Sequence, residues 1–215
     1  MTEQGVATRA ALIHGLYAIA DSTYLTPQTL VVRVAAALEG GARVVQYRDK
    51  HSTQATRLAS ALSLATLCRE HAVPLIINDD AKLALECGAA GVHLGRDDTD
   101  VRAVRRLLGD AAIIGVSCYN DGERARRAQE EGADYVAFGR FFPSRTKPQA
   151  LPANLDLLRR ARAELSLPIV AIGGITAENG AALVAAGAHA LAVIEGLWGQ
   201  ADVRAAAARY AELFN

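Results

Sequence analysis

Gly41-Ala42-Arg43-Val44-Val45-Gln46-Tyr47-Arg48-Asp49-Lys50 holds the reading of the whole chain in ten residues. A glycine suited to end a helix in the left-handed conformation leads into a short apolar run. The run then breaks into a cluster of polar and charged side chains. The Gly-Ala pair recurs as Gly88-Ala89, Gly132-Ala133 and Gly187-Ala188, at intervals of 47, 44 and 55 residues. Each pair follows a helical pattern and precedes an apolar run, so each interval matches one βαβα quarter of a larger repeat.

Outward from this stretch, apolar runs occur at 16–20, 42–47, 75–78, 91–94, 113–117, 135–139, 169–173 and 190–194. They are nearly continuous rather than alternating, as in strands of a parallel sheet buried on both faces. Helical patterns lie between them, near 27–39, 52–71, 80–87, 100–108, 121–131, 153–166, 177–186 and 202–213. Eight strand–helix units in strict alternation predict an α/β fold, a (β/α)8 TIM barrel forming a single domain over residues 1–215. A doubly wound open sheet is the alternative; the quarter-barrel intervals favour closure.

Composition narrows the function. The chain has 215 residues, 51% hydrophobic and 21% charged, enough for one large core. Lys plus Arg and Asp plus Glu number 23 each, so no overall field draws nucleic acid or acidic lipid, and an anion site must be a local cluster. Cys68, Cys87 and Cys118 show no C-x-x-C spacing, which argues against a disulfide framework or zinc site and for a reducing, cytoplasmic setting. Residues 1–9 lack a secretory pattern, and no apolar run reaches the roughly 18 residues of a membrane span. The Leu197-Trp198 pair suits either the core or a homo-oligomer interface.

In such barrels the active site lies on the loops after the strands. At the end of strand 2, Gln46, Arg48 and Lys50 alternate along extended chain and share a face, one amide and two cations converging as an oligo-oxygen anion such as a diphosphate requires. Alone, the pattern also fits a solvated loop. Asn78-Asp79 ends strand 3, and Asp97-Asp98 follows strand 4. Hard carboxylates on neighbouring strand ends suit Mg2+, with Asp79 and Asp98 as the expected ligands and Asp80 and Asp97 as helix caps. His93 is expected in the core or at the barrel mouth. Ser117, ending strand 5, can donate to a phosphate or cap the next helix. Cys118 reads as a small buried filler. After strand 6 a long loop carries Ser144, Thr146 and Lys147, each able to donate a hydrogen bond to phosphate oxygens. Strand 7 ends in Gly173-Gly174, and strand 8 in Ile194-Glu195, where backbone N–H groups suit a second phosphate. Two anion sites and a divalent-metal site suit an enzyme with two phosphorylated substrates.

These residues closely resemble those of the thiamine-phosphate synthase family. The matching stretches are Gln46-Tyr47-Arg48-Asp49-Lys50, Ile77-Asn78-Asp79, Gly91-Val92-His93-Leu94-Gly95 with Asp98, Gly115-Val116-Ser117, Phe142-Pro143-Ser144-Arg145-Thr146-Lys147 and Ala171-Ile172-Gly173-Gly174-Ile175. They occur in family order from Tyr17 to Gly196. The resemblance implies that Gln46, Arg48, Lys50, Asn78, Ser117 and Lys147 hold a hydroxymethylpyrimidine diphosphate. Asp79 and Asp98 would hold Mg2+ on it, and Ser144, Thr146, Gly174, Ile194 and Glu195 would hold a thiazole phosphate. Three positions depart from the common pattern: Ser144 stands for Thr, Arg96 for Gln and Glu195 for Ser. A carboxylate at 195 repels the phosphate unless it turns away and the backbone alone binds. Rival readings are an isomerase like the family's thiazole tautomerase relatives, with His93 as general base, and a non-catalytic phosphate-ligand sensor on the same barrel.

Overall fold

The computed structural model describes residues 9–95, 100–143 and 152–215. Its eight strands are β1 (Gly15–Asp21), β2 (Ala42–Arg48), β3 (Leu75–Asn78), β4 (Gly91–Leu94), β5 (Ile113–Tyr119), β6 (Tyr135–Phe138), β7 (Ile169–Ile172) and β8 (Ala190–Val193). They pair in parallel and in order, and β8 pairs back onto β1 to close the barrel. Closure removes the open-sheet alternative. The helices between and after them are α1 (Pro27–Glu39), α2 (Gln54–Glu70), α3 (Ala81–Cys87), α4 (Val101–Leu108), α5 (Gly122–Glu130), α6 (Leu155–Glu164), α7 (Ala181–Ala185), α8 (Glu195–Trp198) and α9 (Val203–Ala211). Helix α8, a single turn after β8, is too short to leave a periodic pattern in the sequence and is absent from the sequence reading.

The strands read as continuous apolar runs because each is buried on both faces. In β1, Leu16, Ala18 and Ala20 face the helical layer, while Tyr17 and Ile19 face the barrel interior. The interior is filled by Tyr17, Ile19, Val44, Ile76, Ile113, Tyr135 and Val170 among others, so it is a packed core and not a pore. All four repeated glycines have positive φ, at 99° (Gly41), 66° (Gly88), 92° (Gly132) and 112° (Gly187). A side chain resists that conformation, which explains the repeat.

The N-terminal face is closed by charge. Asp134 is buried and accepts from Arg9 Nε at 2.9 Å, from Arg105, and from the Ile114 backbone N–H at 2.8 Å. Leu197 and Trp198 belong to the core, the indole donating to the Ile19 carbonyl at 2.6 Å. The three cysteines are buried and unpaired, and burial pushes the Cys118 thiol up to about 12, as expected of an inert filler. Among the described residues, no helix is long and apolar enough to cross a membrane.

Candidate active site

The strand ends open into a cavity of about 390 Å³ at the C-terminal mouth. Gln46, Arg48, Asn78, Ser117, Gly174, Ile194 and Glu195 all line it. Residues read from the sequence as two separate anion sites thus face one space. Lys50 and Asp79 line an adjoining depression that shares Asn78 with the cavity. Asp98, Ser144, Thr146 and Lys147 lie outside the described residues, as does Arg96.

Register decides what the cations do. Asp21 pairs with Arg48 across β1 and β2, and its carboxylate, 1% exposed, accepts from the guanidinium. Asp21 also accepts from the Thr23 backbone N–H at 2.9 Å and from its hydroxyl. Arg48 is therefore aimed by a buried anion, a role that sequence reasoning missed. Lys50 Nζ lies 3.1 Å from Asp79 Oδ2 at the rim, and both are substantially exposed.

Asp79 adopts φ 64°, in the left-handed region that short polar side chains tolerate best. The conformation separates it from its neighbour. Asp80 caps α3 by accepting from Leu83 N–H at 2.9 Å and pairs with Arg57 at 2.7 Å, as the capping reading expects. Asp49 turns its carboxylate onto its own loop, accepting from the His51 and Ser52 backbone at 3.0 Å and from the Tyr47 hydroxyl at 3.0 Å. Burial opposes ionisation there, but these bonds outweigh it and hold the carboxyl below the usual range. Of the three carboxylates bordering the depression, Asp80 thus serves a cap and Asp49 its own loop, while Asp79 stands beside Lys50.

Beneath the cavity a line of polar groups crosses the barrel. Gln46 Nε2 donates to Tyr17 Oη at 2.8 Å; Tyr17 Oη is 2.7 Å from Tyr135 Oη; Tyr135 Oη is 2.9 Å from His93 Nδ1; and His93 Nε2 is 2.8 Å from Ser117 Oγ. His93 is buried, as expected. Ser117 does not cap a helix: Asp121 caps α5, and Ser117 faces His93. Tyr17 and Tyr135 were missed as site residues. The available signal was a tyrosine within an apolar strand, which needs a partner for its hydroxyl once buried.

On the far side, Gly173 (φ 106°) and Gly174 (φ 64°) serve the neighbouring loop as well as the cavity. A Cβ on Gly173 would stand 2.4 Å from Arg140 Cβ, and one on Gly174 would stand 2.3 Å from the Pro143 carbonyl. The chain after β6 lies directly against them, with Phe142 N–H bonded to the Gly173 carbonyl at 3.0 Å. Helix α8 begins at Glu195 after β8 and turns its first residues toward the same mouth.

The family model described as thiamine monophosphate synthase matches residues 16–197. The chain is 57% identical to the thiamine-phosphate synthase of Nitrosococcus oceani over 202 residues, covering 94% of this chain and 93% of that one. It is 54% identical to the thiamine-phosphate synthase of Thiobacillus denitrificans over 202 residues, covering 93% and 94%. Among solved structures, thiamine phosphate pyrophosphorylase from Pyrococcus furiosus superposes with a TM-score of 0.85 at 32% identity, covering 96% of each chain.

Proposed function

Because the chain belongs to the thiamine monophosphate synthase family, we propose that it condenses 4-amino-2-methyl-5-hydroxymethylpyrimidine diphosphate with 4-methyl-5-(2-phosphoethyl)thiazole. The products are thiamine phosphate and pyrophosphate. The observation that carries this reading is the single cavity lined both by Gln46, Arg48, Asn78 and Ser117 and by Gly174, Ile194 and Glu195, one group suited to each phosphorylated substrate.

Gln46, Arg48, Lys50, Asn78, Ser117 and Lys147 bind the pyrimidine diphosphate. Asp79 and Asp98 would hold Mg2+; Asp79, a hard carboxylate at the end of β3 beside Lys50, fits that ion. When bound, Mg2+ would offset charge on the departing diphosphate. Arg48, Lys50 and Lys147 stabilise the same charge as the methylene–oxygen bond breaks and its electron pair leaves with pyrophosphate. The aminopyrimidine methylene, now a resonance-stabilised cation, is attacked by the thiazole nitrogen. Ser144, Thr146, Gly174, Ile194 and Glu195 hold the thiazole phosphate, Glu195 through its backbone with the carboxylate turned away. Positioning and preorganised charge do the work, with no side-chain nucleophile.

Both ring nitrogens of His93 are engaged, which weighs against the isomerase reading that needs His93 as general base. The test is product formation from both substrates with Mg2+ and then with chelator. Metal-dependent thiamine phosphate is expected. Folded protein that yields none from intact substrates overturns the reading.

A further inference from the structure

The polar line beneath the cavity has a direction. An amide nitrogen and a hydroxyl differ in what they can give: Nε2 of Gln46 only donates, whereas each tyrosine hydroxyl has one proton to pass on. Tyr17 Oη accepts from Gln46, so its own proton goes to Tyr135 Oη, its other hydrogen-bond partner among the described residues. Tyr135 Oη then gives its proton to His93 Nδ1. A neutral imidazole that accepts at Nδ1 carries its proton on Nε2, which faces Ser117 Oγ. Ser117 accepts from below, and its hydroxyl proton is left to point into the cavity it lines.

We propose that Tyr17, Tyr135 and His93 are positioning residues: a one-way hydrogen-bond chain, started by Gln46, that fixes Ser117 as a donor to the pyrimidine substrate. The proposal rests on the reading that this end of the cavity holds the pyrimidine diphosphate. Reversing the chain would turn Ser117 into an acceptor and favour a different face of an aminopyrimidine, whose ring nitrogens accept and whose amino group donates.

The surroundings hold the chain in place. Tyr17 and Tyr135 are buried, and burial pushes both phenols well up, so each keeps its proton. The His93 and Tyr135 rings stack with centroids 5.5 Å apart. The space for Tyr135 exists because residue 115 is glycine; a Cβ there would stand 2.0 Å from Tyr135 Cζ. None of these features is needed merely to fill the barrel, which Phe at 17 and 135 would do without burying hydroxyls.

The test starts with nitrogen-15 chemical shifts of the histidine ring in the labelled, unliganded chain, with His93 assigned by its loss in His93→Gln. A neutral ring protonated on Nε2 is expected. A proton on Nδ1, or an imidazolium at neutral pH, overturns the proposal. The second arm compares kcat and KM for Tyr135→Phe, Ser117→Ala and the double variant. Tyr135→Phe keeps the ring and should lose about three- to tenfold in kcat/KM for the pyrimidine diphosphate, the scale of one hydrogen bond. The loss should vanish in the Ser117→Ala background, because the chain acts through Ser117; losses that multiply overturn the proposal. If the wild-type chain forms no thiamine phosphate, the proposed function fails, while the histidine tautomer still decides the direction of the chain.

Discussion

Asp21, the last residue of β1, accepts a hydrogen bond from Arg48, the last residue of β2, with its carboxylate almost wholly removed from water. The pair turns a flexible cation into a fixed one. A guanidinium that binds a diphosphate must also avoid folding back on the protein, and a buried acceptor on one side leaves its remaining donors for the ligand.

Asp21→Asn keeps the shape and removes the charge. The fold should lose about 3 kcal/mol, the scale for breaking a buried pair from one side. The KM for the pyrimidine diphosphate should rise as Arg48 loses its anchor. Urea midpoints and steady-state kinetics check both; an unchanged KM would detach Arg48 from the substrate.

Asp79 and Asp80 are adjacent in sequence and should behave oppositely. Asp79→Ala should raise the Mg2+ concentration for half-maximal activity by at least about tenfold. Asp80→Ala should leave that titration in place but cost about 1 kcal/mol through the lost α3 cap. Metal titrations of both variants, with thermal melts, separate a ligand from a cap. Equal metal dependence in the two would remove Asp79 from the ion.

Gly174→Ala places a Cβ at φ 64° and 2.3 Å from the Pro143 carbonyl. The backbone conformation alone costs about 1 kcal/mol, and the chain after β6 must move. Stability should fall and the KM for the thiazole phosphate should rise. Gly122→Ala, where a Cβ meets nothing within 4 Å at the start of α5, should instead stabilise by up to about 1 kcal/mol without a change in KM.

His189 supplies a pH dependence away from the site. Its Nδ1 accepts from the Ile169 backbone N–H at 2.9 Å, joining β7 to the residue before β8. Burial, and then the nearby charge of Arg162, lower its pKa below the ordinary 6.5. The unfolded chain therefore binds a proton before the folded one does, so stability is lost as pH falls below about 6.5. Urea midpoints between about pH 7 and about pH 5 should fall, and His189→Asn should flatten that slope. A slope unchanged in His189→Asn would assign the acid sensitivity to another group.

The elements, their order and several of the residues around the cavity are legible in the sequence because their causes are local. A glycine before each of four strands records a left-handed turn, and a continuous apolar run records burial on both faces. Gln46, Arg48 and Asn78 follow from standing at strand ends. The charge and hydrogen-bond pairings do not follow, because they join residues far apart in the chain through strand register and barrel closure. Asp21 meets Arg48 only because β1 and β2 pair in one register, and a slip of one residue would send it to the other face. Tyr17 and Tyr135, 118 residues apart, share a proton line only because the closed barrel turns both hydroxyls into its interior. Burial then makes such meetings obligatory, since a polar group shut away from water must find a partner across the fold.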